Sequence, residues 1–244
     1  MQTKEQALKQ SQAAIEKGDF DEAIHCCNEA IRLDPKYAEM YGTRGIAYLN
    51  QGNYDQAIAD FTTTIWLNPK DIVAYHNRGT AYFEKGDYDP AIADYSKVIR
   101  LEPKDAEVYN NRGKAYLEKG DYDRAIADFT KAIRLDSQDD VAYCNRGLAY
   151  LDQGDYDQAI SDFTESIRLD PEDGAAYSNR AVAYREKGDY DRAIADYNEA
   201  LRLDPNYASA YYYRGMIHEM KGEINEANAD FAKAKKLGFT PTRR

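Results

Sequence analysis

An all-α fold built of stacked repeats is the class this chain predicts, and two observations carry it. The first is a strict 34-residue period: Gly45, Gly79, Gly113, Gly147 and Gly215 share one register, and Gly18, Gly52, Gly86, Gly120, Gly154, Gly188 and Gly222 share another. A fixed period of this length marks a stack of identical supersecondary units. The second is that each period carries two apolar stripes at helical spacing, parted by Gly and Asp. The 244 residues would suit one or two ordinary domains. A repeat stack instead forms one elongated body, so residues 1–244 are expected to make a single solenoid.

Seven repeats follow, at 4–37, 38–71, 72–105, 106–139, 140–173, 174–207 and 208–241. In the fourth, Tyr109, Arg112, Gly113, Tyr116 and Leu117 recur at helical spacing, which predicts a helix A over 106–119. Gly120 and Asp121 end it, since Gly tolerates the left-handed conformation past a helix end. Helix B is predicted over 123–135, with Tyr122, Ala125, Ile126, Phe129, Ala132 and Ile133 as its buried stripe and Asp121 or Asp123 capping its first turn. Pro35, Pro69, Pro103, Pro171 and Pro205 stop most of the other helices B, because proline cannot continue a helix. Ser137 replaces that proline in the fourth repeat, which predicts a looser turn there. Ala occupies one helix-B site in all seven repeats, from Ala23 to Ala227, and is expected to face the helix-A glycine, small against small. Tyrosine dominates the rings between the helices, so many hydroxyls must find partners or reach water.

The net charge is -11 and the pI about 4.9. An acidic chain repels phosphate backbones, so nucleic acid is excluded as the expected partner, and anionic membrane surfaces with it. Cys26, Cys27 and Cys144 form no disulfide framework, which points to a reducing compartment. The first 17 residues lack an apolar signal core, and no apolar run approaches membrane length. A cytoplasmic protein without membrane insertion is the expectation.

The recurring order of large residue, small residue, Tyr, Ala, Phe or Tyr, Ala and Pro resembles the tetratricopeptide repeat. The resemblance covers essentially the whole chain. It implies a right-handed superhelix of antiparallel helix pairs, with helices A lining a concave groove. It places the sixth residue of helix A on that face: Thr43, Asn77, Asn111, Asn145, Asn179 and Tyr213. An Asn amide both donates and accepts, so a row of them suits the backbone of an extended peptide. Neighbouring groove sites carry His76, Asn110, Tyr212, Thr80, Lys114, Leu148 and Val182, and Glu84, Glu118, Asp152 and Glu186 form an acidic rim. Such a groove suits a segment with apolar anchors and basic residues. Some members hold a partner's C-terminal carboxylate with a Lys/Arg and Asn clamp. Here the matching sites carry Leu8, Gln12, Val73 and Asn77, which argues against that ligand. Asn228 and Lys235 stand where earlier helices B bury Ile, and Ala7 and Ser11 depart from the pattern in the first repeat. A polar last helix and a degenerate first repeat read as caps of a complete array.

One pairing stands outside the family pattern. Arg44, Arg78, Arg112, Arg146, Arg180 and Arg214 recur together with Asp60, Asp94, Asp128, Asp162, Asp196 and Asp230, and both are missing from the first repeat. Joint gain and loss predicts a repeated Arg–Asp bridge, within a repeat or between neighbours, with Arg packed on Tyr.

Chemistry finds little footing. His25, Cys26 and Cys27 are adjacent on a helix, so they point in different directions and cannot share one ion. The Gly-Asp-Tyr-Asp turns, such as 86–89, are too short for a calcium loop and read as helix caps. No phosphate loop occurs, and His25, His76 and His218 lie in separate repeats without a nucleophile. The expectation is a non-enzymatic protein-interaction scaffold, with no cofactor or metal, that binds an extended peptide or protein segment. The alternative is a self-associating scaffold that forms homo-oligomers.

Overall fold

The computed structural model describes residues 4–240. Fourteen helices span the described residues. They are α1 (Lys4–Glu16), α2 (Phe20–Leu33), α3 (Ala38–Asn50), α4 (Tyr54–Leu67), α5 (Ile72–Lys85), α6 (Tyr88–Leu101) and α7 (Ala106–Glu118), then α8 (Tyr122–Leu135), α9 (Asp140–Gln153), α10 (Tyr156–Leu169), α11 (Gly174–Glu186), α12 (Tyr190–Leu203), α13 (Ala208–Met220) and α14 (Ile224–Lys236). Each odd-numbered helix is a helix A and begins on the first residue of its repeat. The chain parts into two compact units, the first ending at Asp121 and the second beginning at Tyr122. Within each unit every helix packs on the next, and α1, α3, α5 and α7 also touch in succession.

The turns follow from a few side chains. Gly86 ends α5 at φ +85°, a left-handed conformation that glycine adopts without a Cβ penalty. Asp87 N–H then donates back to Tyr82 O at 2.8 Å. At the start of α9, Asp139 Oδ1 accepts from Ala142 N–H at 3.0 Å, and Asp71 and Asp155 cap α5 and α10 alike. The turn at Ser137 is no looser than the others. Asp136 Oδ1 accepts from Gln138 N–H at 2.9 Å, as Asp34 does from Lys36 N–H and Asp170 from Glu172 N–H. The aspartate, rather than the proline, fixes this geometry.

The core is a file of buried rings and small residues, with Phe61, Phe129 and Phe163 almost fully buried. The helix-A glycines lie directly against these rings. A Cβ on Gly45 would lie 2.8 Å from Phe61 Cε1, and one on Gly147 would lie 2.7 Å from Phe163 Cε1. The glycine is small because a ring sits edge-on against the helix backbone.

The Arg–Asp bridge exists and is bidentate. Arg146 Nε donates to Asp162 Oδ2 and Nη2 to Oδ1, both at 2.7 Å. Arg44–Asp60, Arg78–Asp94, Arg180–Asp196 and Arg214–Asp230 repeat it at 2.6–2.8 Å. The carboxylates are almost fully buried, with Asp162 at 7 % side-chain exposure against 17 % for Arg146. Each guanidinium also lies over the Tyr three residues before it, for example Arg146 at 5.6 Å from the Tyr143 centroid. Its third nitrogen reaches the preceding repeat. Arg146 Nη1 donates to Thr130 Oγ1 at 3.1 Å, Arg78 to Thr62 at 3.0 Å and Arg112 to Ser96 at 2.9 Å. The bridge is therefore intra-repeat and inter-repeat at once. The recurring hydroxyl or amide at Asn28, Thr62, Ser96, Thr130, Thr164 and Asn198 is its sequence signature.

The last acid of each Gly-Asp-Tyr-Asp turn, and of the Gly-Asn-Tyr-Asp turn at 52–55, has a different task. Asp55 accepts from Lys85 at 2.9 Å, Asp191 from Lys221 at 2.6 Å and Asp123 from Gln153 at 2.8 Å; Asp89 with Lys119 and Asp157 with Lys187 continue the series. These exposed pairs join each helix B to the next helix A and contribute little individually.

Candidate functional site

Helix A presents a fixed register to the face opposite helix B, and in the first unit this face holds two adjoining clefts. One, of about 250 Å³, is walled by α5 and α7 over the Tyr95 ring of α6. His76, Asn77, Thr80, Phe83 and Glu84 come from α5, and Glu107, Asn111 and Lys114 from α7. These residues meet because 76, 80, 83 and 84 lie on one stripe of α5, and 107, 111 and 114 on one stripe of α7.

Internal bonds set the polarity of this cleft. Tyr95 Oη donates to Thr80 Oγ1 at 3.2 Å, and Thr80 Oγ1 donates to His76 O at 3.2 Å. Burial pushes the Tyr95 phenol up to about 12, so it remains a donor at neutral pH. Asn111 Nδ2 lies 3.3 Å from His76 Nε2, and Glu107 Oε1 lies 3.8 Å from that nitrogen. The Lys114 ammonium sits 5.1 Å over the Phe83 ring. Glu84 and the Asn77 amide have no side-chain partner among the described residues.

The other cleft, of about 220 Å³, lies between α1, α3 and α5. Leu8, Ile46, Phe61, Val73 and Ala74 make it largely apolar, and Gln12, Thr43, Glu39 and Asp71 rim it. Gly42 forms part of its wall. A Cβ there would meet Thr64 only at 3.7 Å, so no crowding requires this glycine. Other repeats fill the register with His76, Asn110, Cys144, Ser178 or Tyr212. The missing side chain keeps the cleft open, and that departure is the sequence signal that could have located it. Asn77 borders both clefts.

The predicted groove residues therefore divide. His76, Asn77, Thr80, Glu84, Asn111 and Lys114 come together in one cleft, and Thr43, largely buried, joins Asn77 in the other. Asn110 is buried, and Glu118 accepts from Tyr88 Oη at 3.5 Å. Sequence reasoning missed Phe83, Tyr95 and Glu107 as cleft walls.

In the second unit the corresponding positions are occupied from within. Asn179 Nδ2 donates to Cys144 Sγ at 3.8 Å, and Leu148 and Val182 pack into core clusters. Asn145 is half-buried and Asp152 exposed. The Arg185 guanidinium lies 5.5 Å over the Tyr213 ring and donates to Glu186 at 2.5 Å. Phe239 packs at a tilt on Tyr212, with ring centroids 5.0 Å apart, and edge-on against Tyr213 at 6.3 Å. Beneath them Tyr197, the counterpart of Tyr95, is fully buried with its hydroxyl unpartnered, because Val182 stands where Thr80 would be.

No group of three or more His, Cys, Asp or Glu among the described residues is arranged to hold a metal ion. His25 is exposed while Cys26 and Cys27 are buried, and burial pushes the Cys27 thiol up to about 11. Among the described residues no helix is long and apolar enough to cross a membrane.

Comparison with known proteins agrees with the repeat geometry. Family models described as tetratricopeptide repeat match residues 10–77, 144–208 and 179–238, and one described as TPR repeat matches 79–120 and 113–154. No curated protein sequence matches the chain. A tetratricopeptide repeat protein from Parabacteroides merdae is 26 % identical, over 98 % of this chain and 95 % of its own, with a TM-score of 0.79. MamA is 31 % identical over 65 % of this chain and 93 % of its own, with a TM-score of 0.61. YrrB, described as having an unusual peptide-binding site, is 21 % identical over 77 % of this chain and 97 % of its own, with a TM-score of 0.64, and so attests the fold alone. With the paired helices, the 34-residue register and these matches together, the chain belongs to the tetratricopeptide repeat family.

Proposed function

We propose that this protein is a non-enzymatic, cytoplasmic scaffold that binds an extended peptide or protein segment on its helix-A face, chiefly at the two clefts of the first unit. Treating residues 1–244 as one scaffold is part of that reading. The observation that carries it is the unpartnered Asn77 amide at the border of both clefts. An amide in that position can donate to and accept from one peptide unit of a passing chain. The walls come from packed helices, so little ordering cost falls on the protein when a ligand enters. Peptides selected from a random display library on the full chain test this. Asn77→Ala with Asn111→Ala should weaken the selected peptides at least tenfold; undiminished binding would move the surface elsewhere.

A second reading, self-association, rests on Trp66. It is the chain's only tryptophan, is 75 % exposed, and stands where five other repeats carry Arg. Sedimentation of the parent and of Trp66→Arg at micromolar concentration decides it: a Trp66-dependent dimer supports this reading, and a monomer in both removes it.

A further inference from the structure

We propose that the cleft between α5 and α7 is a subsite for a lysine or arginine side chain, and that the adjoining Gly42 cleft takes an apolar side chain of the same extended segment. The inference rests on the peptide-binding reading and specifies its ligand.

The protein's own second unit holds a filled counterpart of this cleft. A shift of 102 residues, three repeats, maps Phe83, Glu84, Tyr95 and Asn111 onto Arg185, Glu186, Tyr197 and Tyr213. At that second site the chain supplies a cation itself: Arg185 lies over the Tyr213 ring and is held by Glu186. The first unit keeps the matching carboxylate, Glu84, but Phe83 replaces the arginine. Its carboxylate is left without an internal cation, in a cleft of about 250 Å³. Glu107 adds a second carboxylate, 73 % exposed and 3.8 Å from His76 Nε2. Lys114 is the one opposing charge on the wall, and it is drawn over Phe83. Across both clefts the acids Glu39, Asp71, Glu84 and Glu107 outnumber it. The surroundings therefore favour a cation brought by a ligand.

The apolar half rests on a second comparison, at a shift of 170 residues or five repeats, which maps Gly42 onto Tyr212. Where Tyr212 and Phe239 pack together in the seventh repeat, the same register in the second repeat offers Gly42 and a space lined by Leu8, Ile46 and Phe61. Asn77 lies between the two spaces. Residues i and i+2 of an extended chain point the same way about 7 Å apart, so one segment can offer a side chain to each of two adjoining subsites on one face.

The test uses the full chain and blocked pentapeptides, acetylated and amidated. The probe is Ser-Leu-Ser-Lys-Ser, in both sequence directions, with controls in which Glu replaces Lys or Ser replaces Leu. Binding is read by amide chemical shifts, in 20 mM and in 300 mM salt. The Lys probe should move Thr80, Glu84 and Asn111 amides, bind at least about tenfold tighter than the Glu probe, and weaken in high salt. Glu84→Lys/Glu107→Lys should invert the preference. Phe83→Arg, which copies Arg185, should abolish Lys-probe binding; if that variant is unfolded by circular dichroism, Glu84→Gln/Glu107→Gln gives the same reading with less disturbance. Equal binding of Lys and Glu probes at these amides would overturn the cation subsite and leave the peptide-binding reading standing. Shifts confined to even-numbered helices, or no binding by any probe up to its solubility limit, would overturn both.

Discussion

Tyr95 and Tyr197 occupy the same register three repeats apart, yet removal of the hydroxyl should have opposite effects at the two. Tyr95 Oη donates to Thr80 Oγ1 at 3.2 Å, whereas Tyr197 Oη is buried without a partner. Tyr95→Phe gives up one made hydrogen bond, a net loss of about 1 kcal/mol. Tyr197→Phe relieves an unsatisfied buried group, whose desolvation costs about 1–3 kcal/mol, so that variant should gain about 1 kcal/mol. Val182→Thr should stabilise by a similar amount, because it places a hydroxyl where Thr80 serves Tyr95. Thr80→Val should reproduce the defect in the first unit. Urea unfolding followed by far-UV circular dichroism measures these changes, and about 1 kcal/mol corresponds to a shift of about 2–4 °C in a chain of this size. Amide exchange in α6 and α12 shows which repeat responds. A destabilisation of equal size in both Tyr→Phe variants would refute the reasoning.

Other outcomes follow from the same contacts. Arg146→Ala or Asp162→Ala leaves a buried charge unpaired and should cost about 3–5 kcal/mol, with strong coupling in the double-mutant cycle; additive losses would mean two independent charges. Gly147→Ala drives a methyl against Phe163 and should cost about 1–3 kcal/mol, while Gly42→Ala meets only ordinary contact and should gain up to about 1 kcal/mol of helix stability; denaturant midpoints moving the same way would contradict this. Burial raises the Tyr95 pKa from 10 to about 12. The unfolded chain then loses this proton first, so stability is intact below pH 10 and falls between pH 10 and 12, by up to about 3 kcal/mol. Tyr95→Phe should remove that share of the alkaline loss in a pH series of unfolding curves. Cys27 is fully buried with its thiol up at about 11, so a thiol reagent should label it at the unfolding rate; labelling within seconds in the native protein would show the core is open.

The fold was legible because the repeat averages out local ambiguity: each helix A starts on the residue where its repeat does, from Lys4 to Ala208. The Arg–Asp bridge was legible for the same reason, since paired positions vary together across seven copies. Its third partner was overlooked, although Thr62, Thr130 and Thr164 keep a hydroxyl in register. The ring against the helix-A glycine was not foreseen, because small residues at two sites do not say which ring lies beside them. The groove was only half legible. Residues from one face could be named, but not that Phe239 folds onto Tyr212 or that Arg185 turns toward Tyr213. Those contacts depend on rotamers and on chain beyond the last helix, which no period records. Gly42 is the exception in its register and could have marked the open cleft, but was passed over.

The most direct test of the scaffold reading is the footprint of a selected peptide on the full chain, mapped by amide shifts and amide-exchange protection. The account predicts that the footprint falls on α3, α5 and α7, centred on Asn77, and that the peptide runs extended past both clefts. A footprint confined to α4 and α6, or one that survives Asn77→Ala and Asn111→Ala unchanged, would contradict it.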